Sequence, residues 1–300
     1  MSTKQPFFEE VLPGTFLLRV PFGPVWTGIY LVRGEKNFLV DSSHLQPEDC
    51  LLPALAGLGL APKDIAWLLC THVHGDHIGG HRALHERYGV KVATPASAAA
   101  ALRDPVAVAI RVRTRFPHNS PPPQTSLKGV EPDLLLAPGE KLEGRMLAIA
   151  APGHDEDCLV WLDAETGTAF TGDSIQGNGT KSQGVAFYRD LTAYRATLAR
   201  LSASVPENLA LGHDYDGVGS VVRGREAVAA ALRYSAERTE LYARRIAAYL
   251  AEGVPVEPEP TSLARRLIAE CGCGEPEKLF LALHTVAEHL KEAGVVLPAP

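Results

Sequence analysis

The 300-residue sequence has no apolar run long enough to span a bilayer, which excludes a helical membrane protein. The opening residues, Met1-Ser2-Thr3-Lys4-Gln5-Pro6, are not followed by the apolar core of a secretory signal, so a cytoplasmic location is expected. Cysteine is scarce and scattered: Cys50, Cys70, Cys158, Cys271 and Cys273 are five in number. An odd, dispersed set suits reduced thiols better than a disulfide framework. Cys271-Gly272-Cys273 has no second pair with which to form a metal clip. Positive charge is not in excess either, with 29 Lys and Arg against 35 Asp and Glu and a net charge of −6. Nothing therefore advertises a nucleic-acid or anionic-membrane partner. No Gly-x-Ser-x-Gly elbow is present, which removes the usual serine-hydrolase reading.

What is present is a core-forming chain with a dense cluster of metal-capable side chains. An apolar fraction of 46% over this length supports one large domain and a small one. After the apolar strand Ile65–Cys70 comes Thr71-His72-Val73-His74-Gly75-Asp76-His77, four potential ligands within six residues. Imidazole with carboxylate is a borderline donor set that suits zinc first, with iron or manganese as alternatives. Three further candidates stand where other apolar runs break at glycine: His154 after Arg145–Ala150, Asp173 after Thr168–Phe170, and His213 after Asn208–Ala210. Loops at strand ends carry function on a rigid frame, and glycine lets the backbone approach closely there.

Short strands are expected at 15–20, 28–33 and 37–41, with helical spacing over 47–57, 76–88, 96–102 and 191–201. Residues 116–132 are rich in Pro, Ser and Asn and read as a loop or lid near the site. The domain reading is 1–222 for the catalytic part, 223–252 for a connecting helix, and 253–300 for a small tail. The tail follows the stiff segment Gly253–Pro260 and has two helix patterns, then a short strand at Gly294–Leu297. Its charge is slightly acidic, so it is read as structural or dimerising and a homodimer is an open expectation. Its removal is expected to spare hydrolysis of a small ester.

The ordered set His72, His74, Asp76, His77, His154, Asp173 and His213 resembles the metallo-β-lactamase superfamily, over about residues 14–220. The resemblance implies an α/β fold, a four-layer αβ/βα sandwich, and a tail similar to a winged helix. It implies that His72, His74 and His154 bind one metal, that Asp76, His77 and His213 bind a second, and that Asp173 bridges both. The lactamases themselves lack that bridging carboxylate, so the resemblance points to the branch with glyoxalase II, lactonases, thioesterases and RNA-processing nucleases.

The expected activity is a dinuclear metal-dependent hydrolase whose bridging hydroxide cleaves an ester, thioester or lactone, since two cations lower the pKa of a shared water. The substrate is read as a small molecule or an acyl-carrier-type compound. Asp76 is expected to shuttle a proton as well as bind metal, and Tyr215 to donate to the substrate oxygen. Asp41 is read as an acceptor that orients a ligand histidine. Tyr188 and Arg189 are placed by the resemblance near the substrate cleft. Two alternatives remain: an endoribonuclease of the same fold acting on single-stranded RNA, and a mono-iron persulfide dioxygenase.

Overall fold

The computed structural model describes residues 6–276 and 279–297. One sheet of seven strands runs in sequence order: β1 (Glu9–Leu12), β2 (Thr15–Phe22), β3 (Val25–Val32), β4 (Asn37–Val40), β5 (Ile65–Leu69), β6 (Val92–Pro95) and β7 (Leu134–Leu136). A second sheet of six strands has β8 (Lys141–Leu142) at one edge, then β9 (Met146–Ala150), β10 (Leu159–Asp163), β11 (Thr168–Gly172), β12 (Asn208–Tyr215) and β13 (Gly219–Arg223). Strands β4 to β7 pair in parallel, as do β11 and β12, and the rest are antiparallel.

Nine helices are described: α1 (Leu51–Gly57), α2 (Gly75–Ile78), α3 (His81–Tyr88), α4 (Ala99–Arg103), α5 (Pro105–Thr114), α6 (Leu191–Ala203), α7 (Arg225–Ala251), α8 (Thr261–Cys271) and α9 (Phe280–Glu292). The helix expected over 76–88 is two helices. Gly79 and Gly80 lie against the Ser42–Ser43 backbone, where an added Cβ would stand 2.8 Å from a carbonyl oxygen, and the helix breaks there.

Side-chain alternation explains the layering. Along β3, Ile29 and Leu31 face one core while Tyr30 and Val32 face another. Along β12, Leu209 and Leu211 face outward to helices and Ala210 faces the opposite sheet. Three apolar clusters result: α1, α3, α4 and α5 on the first sheet, sheet on sheet around Phe38, Trp161 and Phe170, and α6 to α9 on the second sheet. That is the expected four-layer αβ/βα sandwich. Polar ties cross the central interface: Tyr30 Oη donates to Leu211 O at 2.7 Å and Trp161 Nε1 to Cys70 O at 2.9 Å.

The C-terminal helices share this frame. Leu263, Leu267, Leu283, Val286 and Leu290 are each 0% exposed, in one cluster with Leu209, Leu211 and α6. Each such burial contributes about 1.5–3 kcal/mol. The short strand expected at Gly294–Leu297 is absent among the described residues; a turn and an extended segment follow α9 there, with no partner strand for a wing. Among the described residues no helix is long and apolar enough to cross a membrane.

Candidate metal centre

The site stands at one edge of the sandwich, at the C-terminal ends of β4, β5, β11 and β12. Asp41 closes β4 with a left-handed backbone (φ 64°) and faces the turn after β5. Its carboxylate accepts from Thr71 N at 2.8 Å, Thr71 Oγ1 at 2.7 Å and His77 Nδ1 at 2.8 Å. One carboxylate thus pins both ends of the His-x-His-x-Asp-His segment.

The five imidazoles share one arrangement: an outer nitrogen meets a fixed polar partner and the other points inward. His72 Nδ1 lies 3.2 Å from Thr71 Oγ1, His154 Nδ1 2.9 Å from Phe187 O, and His213 Nδ1 2.7 Å from Trp26 O. For His74 the order is reversed, with Nε2 3.3 Å from Asp155 Oδ2 and Nδ1 turned toward His154. Such partners set the tautomer and the ring orientation of a metal-binding histidine.

The inward atoms converge. His74 Nδ1 and His154 Nε2 are 3.0 Å apart, and the donor atoms of His72, His74 and His154 lie within 4.8 Å of one another. Those of Asp76, His77 and His213 form a second group within the same limit, with His213 Nε2 3.2 Å from Asp76 Oδ2. Asp173 stands between: Oδ2 is 3.5 Å from His154 Nε2 and 3.6 Å from His213 Nε2, and Oδ1 is 3.4 Å from His77 Nε2. His72 Nε2, His77 Nε2 and Asp173 Oδ1 are buried with no hydrogen-bond partner. Buried polar atoms are ordinarily paired, so these point to an absent cation. Neutral imidazole with carboxylate fits a divalent metal.

The two groups differ electrostatically. Burial pushes the His72 imidazole well down, helped by His77 and His74, and holds His154 down to about 4. For His77 burial is outweighed by Asp76, Asp173 and Asp41, which raise it well above its usual range. His213 is raised to about 10, burial being outweighed by Asp173 and then Asp76.

Gly212 is required at this place in β12. A Cβ there would stand 2.5 Å from Asp173 Oδ1 and 2.8 Å from His77 Cε1. The strand expected to end at Ala210 continues through His213 to Tyr215, and this moves the tyrosine away from the position expected for it. Tyr215 is 1% exposed, packs in the cluster with α6 and α7, and is absent from the wall of the cleft. Burial, and after it the nearby Asp173, push its phenol well above the usual range, so the hydroxyl stands beside Asp173 and not in the cleft wall.

A cleft of about 620 Å³ opens over the metal-binding residues and is lined by His74, Asp76, His154, Asp173 and His213. Asp76 accepts from Thr27 Oγ1 at 3.0 Å and borders this space. The 116–132 segment does reach it, through Pro121, Gln124 and Leu127. Tyr188 and Arg189 do not. Tyr188 is 0% exposed with Oη 2.6 Å from His289 Nε2, and Arg189 Nη1 is 2.6 Å from Asp155 Oδ1.

Sequence reasoning missed Asp155, whose buried carboxylate accepts from His74, Arg111 and Arg189; its place beside His154 was the available signal. It also missed Arg113, Phe280 and Leu281 in the cleft wall, which lie in no motif. Five residues of the tail, Gly274, Glu275, Pro276, Phe280 and Leu281, thus border the site, which argues against the expectation that its removal spares hydrolysis. Cys271 Sγ donates to Leu267 O and Cys273 Sγ lies 3.6 Å from Asn178 O, with both thiols free.

Known proteins place this geometry. A hydroxyacylglutathione hydrolase of Cereibacter sphaeroides is 30% identical over 169 residues, 54% of this chain and 54% of that protein. An uncharacterised Bacillus subtilis protein is 30% identical over 158 residues, 50% of this chain and 62% of its own. The matches thus span little more than half the length of these curated relatives. A metallo-beta-lactamase family protein of Thermus thermophilus shares the fold across 95% of both chains, with a TM-score of 0.68 at 22% identity. A beta-lactamase domain protein of Burkholderia ambifaria does so over 98% of this chain and 91% of its own, with a TM-score of 0.67 at 18% identity. The sequence model of the metallo-beta-lactamase superfamily matches residues 23–213, the span that brings all seven candidate ligands together, and the chain belongs to that superfamily.

Proposed function

We propose that the protein is a dinuclear metal-dependent hydrolase of an ester, thioester or lactone. His72, His74 and His154 would hold one divalent cation, Asp76, His77 and His213 a second, and Asp173 both. The observation that carries the reading is the place of Asp173, whose oxygens lie 3.4–3.6 Å from His77, His154 and His213. Two cations, zinc first, would supply an ionised water and positive charge for the oxyanion.

The chain's own residues do the rest. Asp41, Asp155, Phe187 O and Trp26 O hold the imidazoles with their donor nitrogens inward, so little reorganisation is needed. Asp76 borders the cleft and is placed to pass a proton to the departing oxygen or sulfur. The apolar wall, with Phe187 and Phe280, excludes water from the acyl or alkyl part of the substrate.

Glyoxalase-type relatives support the thioester arm. The ribonuclease alternative gains nothing from the tail, where Arg266 pairs with Glu252 and Glu270, and Lys291 with Glu288.

Elemental analysis and a panel of thioesters, lactones and phosphodiesters test the reading. Two metals per chain and acyl hydrolysis lost in Asp173→Ala are expected. One iron per chain with oxygen uptake on a persulfide, or RNA cleavage absent from Asp173→Ala, would replace it.

A further inference from the structure

The wall of the cleft carries a charge that bond cleavage does not use. Arg113, in the last turn of α5, borders the same 620 Å³ space as the metal-binding residues. Its guanidinium carbon lies 4.1 Å from the centre of the Phe280 ring. Its Nη1 is buried without a hydrogen-bond partner, and no carboxylate lies within ion-pair distance among the described residues. The neighbouring Arg111, by contrast, is paired with Asp155 at 3.0 Å. Outside the metal cluster, the other charged residues on the cleft wall, among the described residues, are Lys181 and Glu275, of opposite sign. The same wall carries apolar residues, among them Ala109, Val112, Leu127, Phe187 and Leu281.

A guanidinium half-removed from water with no counter-charge is costly. Burial lowers its pKa, and the charge of Asp76 partly offsets this. The Phe280 ring covers one face of the guanidinium, and its N–H groups, which find no protein carboxylate, suit a planar two-oxygen anion. Resting on the hydrolase reading above, we propose that Arg113 receives a carboxylate of the substrate. The hydrolysed compound is then an ester, thioester or lactone whose apolar body bears a free carboxylate.

The test uses matched esters on the metal-loaded full chain: p-nitrophenyl butyrate, neutral, and p-nitrophenyl hydrogen glutarate, which adds a terminal carboxylate. The wild type is expected to favour the acidic ester, chiefly through KM. In Arg113→Gln the ratio of kcat/KM for acidic over neutral ester should fall by about 10–100-fold, with Arg113→Lys in between. Calorimetric binding of glutaranilic acid, the phenyl amide that resists hydrolysis, should weaken by a similar factor in Arg113→Gln. Equal KM values for the two esters in the wild type would overturn the proposal without any variant. So would a loss in Arg113→Gln shared equally by both esters. If neither ester turns over, the hydrolase reading fails instead. Calorimetry then decides on Arg113 alone: wild-type and Arg113→Gln proteins that bind the amide equally overturn its role.

Discussion

Two regions of this molecule bury histidine, and they use it oppositely. At the strand-end edge, His72, His77, His154 and His213 are at most 5% exposed and direct nitrogens at one another and at Asp173. In the C-terminal helices, His284 and His289 are equally buried, but no second imidazole converges on either: His284 Nε2 lies 3.0 Å from Val112 O, and His289 has Tyr188 Oη 2.6 Å from Nε2 and Glu292 Oε2 3.5 Å from Nδ1. Burial alone therefore says nothing about a ligand. Convergence of several donor atoms, each ring held from behind, separates a metal-binding histidine from a packing one.

The largest expected effect comes from the helical side. Truncation after residue 252 removes Leu263, Leu267, Leu283, Val286 and Leu290 from a shared core. At about 1.5–3 kcal/mol each, their loss matches or exceeds the about 5–15 kcal/mol that holds a typical domain folded. A truncated chain should show no cooperative thermal transition by circular dichroism; a folded, active fragment would show the two regions to be separable after all. Next, His154→Ala should weaken metal affinity by more than about 100-fold, whereas His284→Ala should leave metal content unchanged while lowering Tm. Equilibrium dialysis and a melt on both variants sharpen the contrast, and metal loss in His284→Ala would erase it.

A smaller effect is expected behind the ligands. Asp41→Ala removes the acceptor of His77 and Thr71, and should cost about 10–100-fold in metal affinity with the fold retained. The smallest concerns acid. Burial holds His284 down to about 3, so the folded protein keeps it neutral while an unfolded chain protonates it near its ordinary value of 6.5. Its contribution is complete above 6.5 and is lost as pH falls from there toward 3, at about 1.4 kcal/mol per pH unit. The metal-free His284→Gln variant should therefore show a shallower decline of unfolding free energy between pH 6.5 and 4.5 than the metal-free parent. Equal slopes would mean that His284 does not titrate differently in the two states.

The metal edge was legible in the sequence because each ligand follows an apolar run that breaks at glycine. Gly212 shows why the pattern is tight, since no larger residue fits between Asp173 and His77. The layered fold was legible through alternation, as in Ile29-Tyr30-Leu31-Val32. The tail was not. Its apolar positions at 263, 267, 283, 286 and 290 announce helices with a buried face, but a helix face does not name the surface it covers. Tyr215 was harder to place for a related reason: the strand expected to end at Ala210 runs five residues further and turns the ring into the core. Arg113 and Phe280 stand far apart in sequence and acquire meaning only when α5 and α9 bring them into contact.

The candidate metal-binding side chains and many of the residues that shape the mouth above them come from different stretches of chain. Pro121, Leu127, Phe280 and Leu281 line the mouth without contributing a donor atom. Substitutions among them can therefore retune which compounds are admitted while the reaction itself is untouched. The helices that end the chain act in this sense as the interchangeable half of a lock whose bolt is fixed.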